Sequence, residues 1–198
     1  PNYGVFDENR YFASGEEGLV VEVAGMRVGI TVCEDIWYAG GSVESEVAFG
    51  GAEVVVNISS SPYHRGKRGI REKLLQSRAA DSMAVVAYVN CIGGQDELVF
   101  DGGSLVLHPT RGTLASSPCF VEHVLYCDVD TTGLWSRRMA KPVHRYMRQG
   151  ALRRPARVLE LDGQRSPSRG ERLSLPVQEV AELSQEEEIL QALLLGLR

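Results

Sequence analysis

The stretch with the most chemical potential is Met26 to Trp37, MRVGITVCEDIW, in which an apolar run delivers a thiol, two carboxylates and an indole in succession. Cys33 is the one group here able to attack a carbonyl carbon and leave again as a thiolate. Val28, Ile30 and Val32 alternate with Gly29 and Thr31, the period of a half-buried strand, so the thiol sits at a strand tip, where α/β folds place ligands. Glu34 and Asp35 oppose thiolate formation, and His64, His108, His123 and His144 are scattered along the chain. A nucleophilic Cys33 therefore needs a base and a cation from elsewhere. A small buried core cysteine is the plain alternative.

Asn57 to Arg71, NISSSPYHRGKRGIR, is the second such stretch. Small hydroxyl residues end an apolar run, and Lys67 and Arg68 stand between Gly66 and Gly69. Hydroxyls bind amides and carboxylates, and Lys67 offers a point charge suited to a free carboxylate. The G-x-x-x-x-G-K-[ST] pattern of a phosphate loop is absent. A third stretch, Cys91 to Gly103, is a glycine-rich loop carrying Gln95, Asp96, Glu97 and Asp101. Its acids lack a histidine at ligand spacing, so a structural or subunit-facing loop is expected, not a metal site.

The elements that must position these groups follow from periodicity. Leu19–Val23 and Met26–Val32 read as strands about an Ala24-Gly25 turn, and Glu53–Ile58 and Ala84–Asn90 as strands covered on both faces. A short helix runs from an N-cap at Ser42 through Phe49. Ile70 to Met83 reads as an amphipathic helix with Leu74, Leu75, Ala79 and Met83 inward and Arg71, Glu72, Lys73, Gln76 and Arg78 on a solvated face. Ser104–His108 and Thr113–Ser116 form a hairpin, and Phe120–Val129 a last strand. Residues 137–182 are rich in arginine, proline and glycine and read as a linker or wrapping arm. Leu183 to Arg198 restarts a helix with the S-x-x-E capping box of Ser184 and Glu187 before an apolar stripe of Ile189, Leu190, Leu193 and Leu194.

Composition narrows the function classes. The 198 residues are 43% hydrophobic with a net charge of −5, which argues against a general nucleic-acid or membrane-surface binder. No run approaches the roughly 18 apolar residues of a membrane span. The four cysteines, Cys33, Cys91, Cys119 and Cys127, are too few and scattered for a disulfide framework. The last three are expected as reduced core residues, which suits a cytoplasmic setting.

VCEDIW, preceded by PNYGVFDENRYF and followed by NISSSPYHRGKRGIREKLLQSRA, resembles the nitrilase (CN hydrolase) superfamily. GGQDELVFDGGS narrows the resemblance to the glutaminase domain of glutamine-dependent NAD synthetases. The likeness covers residues 1 to 130. It implies an α/β fold, an α-β-β-α sandwich of which residues 1–136 form the C-terminal part. It implies Cys33 as the nucleophile that hydrolyses the side-chain amide of L-glutamine, with Tyr3, Glu34, Ser61 and Lys67 binding that substrate. Ammonia would pass to a synthetase domain, starting at 183–198, that converts deamido-NAD to NAD with ATP and Mg²⁺. A homo-oligomer is implied as well. The glutamate and lysine completing the family's triad are expected ahead of Pro1, so the chain reads as part of a longer protein and as inactive alone. A free-standing amidase or carbamoylase and a catalytically silent assembly fragment are the alternatives.

Overall fold

The computed structural model describes residues 7–142, 144, 155–161, 175, 180 and 182–197. Nine strands and four helices are seen among them: β1 (Gly18–Val23), β2 (Met26–Val32), α1 (Ser42–Ala48), β3 (Val54–Ser59), α2 (Lys67–Ser82), β4 (Val85–Asn90), β5 (Ile92–Gln95), β6 (Leu98–Asp101), β7 (Leu105–His108), β8 (Gly112–Ser116), α3 (Leu134–Ala140), β9 (Ala156–Glu160) and α4 (Gln185–Gly196). Seven strands make one mixed sheet in the order β8-β7-β4-β3-β2-β1-β9, and β5 and β6 form a separate hairpin. β2, β3 and β4 are parallel neighbours, so their C-terminal ends lie side by side. That places Cys33, Ser59 and Asn90 along one rim.

Alternation along the strands decides which face is covered. Val20, Val55, Val86, Tyr88, Leu105 and Leu107 pack with Val43, Val47, Leu75 and Ala79 of α1 and α2 into the main core. On the other face α3 covers one end, where Leu134 meets Val54, Met83 and Val85. Toward the strand C-termini that face is open: Val32, Ile58 and Val89 remain 60%, 55% and 50% exposed. A β-branched apolar surface of this kind is the inner face of a sheet that packs on another layer.

Several expectations need correcting. Cys91–Gly103 is not an irregular loop; its residues pair as β5 and β6, from Ile92↔Asp101 to Gln95↔Leu98, about a turn at Asp96 (φ 53°). Phe120–Val129 forms no strand; its apolar period is present, but no strand among the described residues pairs with it. Ser42 is the first helical residue and Gly41 the N-cap, without a side-chain cap. α2 starts at Lys67, three residues early, because Gly66 (φ 76°) turns the chain and the Lys67 N–H closes on His64 O at 3.0 Å. Cys91 is exposed and Cys119 and Cys127 half-buried, so none is a core residue; all four cysteines are free. The Ala24-Gly25 turn has both residues at positive φ, 51° and 79°, as the hairpin requires.

The Ser184–Glu187 capping box of α4 forms in both directions, at 3.2 and 2.8 Å. Its leucine stripe faces outward, however. The buried residue is Ala192, and α4 lies on the β5–β6 hairpin, where Gly94 approaches Leu195 and Gly196 closely. Arg138 of α3 is fully buried and donates to Ala52 O at 2.7 Å and Met83 O at 3.1 Å, tying together the chain ends that follow α1 and α2. Burial lowers its pKa to about 10. β9, from the segment expected to be an arm, extends the sheet by pairing parallel to β1. No helix among the described residues is long and apolar enough to cross a membrane.

Glu46 is an oddity in this core. It is wholly buried on α1 against Gly18 and Gly29 of the sheet, and a side chain at Gly29 would collide with its carboxyl. Burial first, with Asp35 and Glu44 adding to it, raises its pKa to about 9 against the pull of the Leu19 N–H. The folded chain therefore holds a proton that the unfolded chain releases near pH 4.5, and stability falls as pH rises from there toward 9. Thermal unfolding across pH 5 to 8.5 should show this loss, and Glu46→Gln should flatten the dependence.

Candidate functional site

The site begins with a strained turn. Cys33 follows β2 directly and has φ 47°, a left-handed conformation that costs a non-glycine residue about 1 kcal/mol or more. Residues Cys33–Ile36 form a single 3₁₀ turn. Three side chains hold it. The Asp35 carboxylate accepts the Val32 N–H at 3.0 Å, Asn57 Nδ2 donates to Cys33 O at 3.2 Å, and Arg78 donates to Ile36 O at 3.1 Å and Trp37 O at 3.3 Å. A thiol on so sharp a strand exit is presented at the sheet rim and not folded back into the core.

The electrostatics of the half-buried thiol are mixed. Burial pushes its pKa up, as do Glu8 and Glu34, whereas the backbone N–H groups of Ser60 and Glu34 favour the thiolate. Glu34 is buried: Oε1 accepts the Tyr38 hydroxyl at 3.2 Å, and Oε2 has no hydrogen-bond partner among the described residues. Glu34 and Asp35 open onto a cavity of about 510 Å³ that also touches Glu8, Phe12, Glu17 and Tyr38. Cys33, Ser61 and Lys67 are not in its wall; the cavity lies on the Glu34 side of the thiol.

Ser61 and Lys67 come from the β3–α2 connection, and both are buried. The Ser61 N–H donates to Asn90 Oδ1 at 2.9 Å. Lys67 Nζ donates to Pro62 O at 2.6 Å and stands 5.6 Å from the centre of the Trp37 ring. Burial lowers its pKa, with Arg71 adding to this, while Asp101 and Cys33 raise it. Lys67 is thus within electrostatic reach of the thiol. The structure gathers Cys33, Glu34, Ser61 and Lys67 at one rim; Tyr3 lies outside the described residues.

Sequence reasoning misplaced Arg71 and Arg78, both expected on a solvated helix face. Arg71 is fully buried and pairs with Asp101 at 2.9 and 3.3 Å, with its guanidinium 5.4 Å from the centre of the Tyr88 ring. Arg78 grips the Cys33 turn. The reason is that β6 passes beside α2 with a carboxylate facing it, which helical periodicity cannot register. The sequence assigns no role to Asn57 or Asn90, and Asp35, expected only as an acid opposing the thiolate, instead accepts the Val32 N–H. For the two asparagines the available signal was an amide at the end of each apolar strand, in VVVNI and VVAYVN.

With this geometry in view, likeness to known proteins becomes interpretable. The sequence model of carbon-nitrogen hydrolases matches residues 1–137. The chain belongs to the carbon-nitrogen hydrolase family. Curated relatives of this hydrolase chain include the glutamine-dependent NAD(+) synthetase of Aquifex aeolicus, 52% identical over 130 residues, covering 66% of this chain and 23% of the relative. The synthetase of Thermotoga maritima is 39% identical over 204 residues, covering 100% and 33%. The chain thus spans a third or less of the length of these relatives. Among solved structures, the glutamine-dependent NAD+ synthetase from Acinetobacter baumannii superimposes with a TM-score of 0.58 at 40% identity, over 62% of this chain and 23% of that one. An amidase from Nesterenkonia sp. gives 0.57 at 27% identity, over 73% and 52%. The mixed sheet and its helices are the α/β fold of the nitrilase superfamily.

The Arg71–Asp101 pair is enclosed on all sides, so removing one partner strands a buried charge. Asp101→Ala should cost about 3–5 kcal/mol, read as a loss of thermal stability, whereas Arg111→Ala at the exposed Arg111–Asp130 pair should change it by less than about 1 kcal/mol.

Proposed function

We propose that this chain carries the nucleophile and part of the substrate pocket of a glutaminase, and that the ammonia released feeds amidation of deamido-NAD to NAD. The observation carrying the reading is the position of Glu34 beside Cys33, with a buried carboxylate oxygen that no described group satisfies. A buried anion needs a cationic or N–H partner. The α-ammonium of an amino-acid amide supplies a cationic one remote from the reacting amide, whereas a simple aliphatic amide offers only the N–H groups of the amide under attack. This favours glutamine over the second reading, a free-standing amidase, to which the Nesterenkonia likeness gives support.

In this mechanism the Cys33 thiolate attacks the side-chain amide carbon of glutamine, forming the C–S bond. The C–N bond then breaks, and ammonia leaves with a proton delivered by a carboxylic acid. Water attacks the thioester, releasing glutamate and restoring the thiol. Lys67 and Ser61 would take the α-carboxylate, Glu34 the α-ammonium, and Tyr3 a further face of the substrate. The acid and the lysine facing the oxyanion are assigned, by the resemblance, to sequence ahead of residue 1. ATP and Mg²⁺ would act in a synthetase domain of which α4 is the first helix; the phosphate-loop pattern is absent from the β3–α2 connection, and no described residue is given a role toward them.

Cys33→Ala in the full-length protein should lower glutamine-driven NAD formation by at least about 10⁴-fold and leave ammonia-driven formation intact. Retained use of glutamine would overturn the assignment. Glu34→Gln should raise the KM for glutamine by about 100-fold while changing hydrolysis of a simple amide such as butyramide little. Equal losses on both substrates would favour the amidase reading.

A further inference from the structure

Between β3 and α2 the chain passes through Ser60, whose backbone N–H favours the Cys33 thiolate, and the residues on both sides of Ser60 are held by buried side-chain amides. On one side, Ser59 Oγ donates to Asn57 Oδ1 at 2.6 Å, while Asn57 Nδ2 donates to Thr31 Oγ1 at 2.9 Å and to Cys33 O at 3.2 Å. One amide therefore joins Ser59 to the backbone of the nucleophile. On the other side, Asn90 Oδ1 accepts the Ser61 N–H at 2.9 Å, and Asn90 Nδ2 donates to Gly102 O at 3.1 Å and Asp101 Oδ1 at 3.3 Å. A long contact from Nδ2 to Ser61 O, 3.5 Å, completes the second clamp. Asn57 is fully buried and Asn90 nearly so.

We propose that Asn57 and Asn90 are positioning residues for the reaction at Cys33: together they fix the Ser60 peptide so that its N–H faces the sulfur. This deepens the glutaminase reading and rests on Cys33 being the nucleophile. Neither asparagine touches the thiol. Each acts through the backbone, and the two approach from adjacent parallel strands, β3 and β4, so the strand register sets their spacing. The division of labour is physical. Buried amides donate and accept at fixed separation without carrying charge, so they hold a loop beside a thiolate without adding a net charge next to it. The Ser60 N–H then supplies a fixed dipole toward negative charge on sulfur, a role suited to a thiol whose charged neighbours are Glu8, Glu34 and Lys67. Arg71 secures the second clamp from behind, since Asp101 Oδ1 accepts from both Arg71 and Asn90.

The test is the pH dependence of Cys33 alkylation by iodoacetamide, followed by mass spectrometry in the full-length protein, together with steady-state glutamine hydrolysis. Ser59→Ala opens the first clamp and Asn90→Ser the second. In each, the alkylation midpoint should rise by about half a pH unit or more and kcat fall about 10- to 100-fold, with KM changed less than about threefold in Ser59→Ala, which leaves Ser61 clamped. Leu107→Ala, a cavity in the core on β7 at the end of the sheet away from the Cys33 rim, should lower thermal stability yet leave the midpoint in place. If Asn90→Ser fails to fold, Ser59→Ala carries the test. Folded variants whose midpoint stays at the parent value, or an equal shift in Leu107→Ala, would overturn the proposal. A parent protein that alkylates normally but does not hydrolyse glutamine would overturn the glutaminase reading and leave the clamps standing.

Discussion

The β4 end of the sheet rim, with the β5–β6 hairpin and α2 around it, depends on the ion pair between Arg71 and Asp101. Its two groups come from α2 and β6, which are thirty positions apart in sequence and belong to different layers. Once enclosed, the guanidinium and carboxylate neutralise each other through Nη1 and Nη2 and then organise what is near them. Asp101 gives an oxygen to Asn90, Arg71 lies over Tyr88, and Gly102 O receives both Arg71 and Asn90. A buried pair of this kind adds little net stability. What it does add is geometric definition: α2, the β5–β6 hairpin and the ends of β3 and β4 have one arrangement in which no charge is stranded.

That arrangement explains how a strained cysteine persists. A positive φ at Cys33 survives because several independent contacts favour the same turn: Asp35 at its start, Arg78 at its end and Asn57 at its middle carbonyl. The helix supplying Arg78 also supplies Arg71 and Lys67. Lys67, the grip on the Cys33 turn and the arginine of the ion pair therefore share one support, α2, seated through Leu75 and Ala79 on the sheet.

The sheet itself is two-sided in an uneven way. One face is closed by α1 and α2, and the other carries Val32, Ile58 and Val89 half in solvent beside the rim that holds Cys33. In an α-β-β-α sandwich this is the surface that meets the second sheet. α4 shows a related pattern, since its small residues contact the hairpin while its leucines point outward. Both surfaces have the composition of an interior and not of a free exterior.

Much of this was legible in the sequence. Strict alternation in MRVGITV, the apolar runs EVVVNI and AVVAYVN, and S-x-x-E before α4 each encode structure through neighbours a few positions away, so β2, β3, β4 and the capping box follow directly. The motifs around Cys33, Ser61 and Lys67 carry the family. Long-range pairing is not encoded that way. Whether Arg71 meets water or Asp101, whether residues 91–103 pair as a hairpin, and whether 120–129 finds a strand partner all depend on which segments lie alongside once the sheet has formed. The local pattern of a buried, ion-paired arginine is the same as that of a solvated one, because the desolvation that separates them exists only after the layers close. The sequence by itself determined the family, the candidate thiol and the strands that carry it; the tertiary structure decided which charges are enclosed, because desolvation exists only once the layers close, and therefore which residues hold the site in shape.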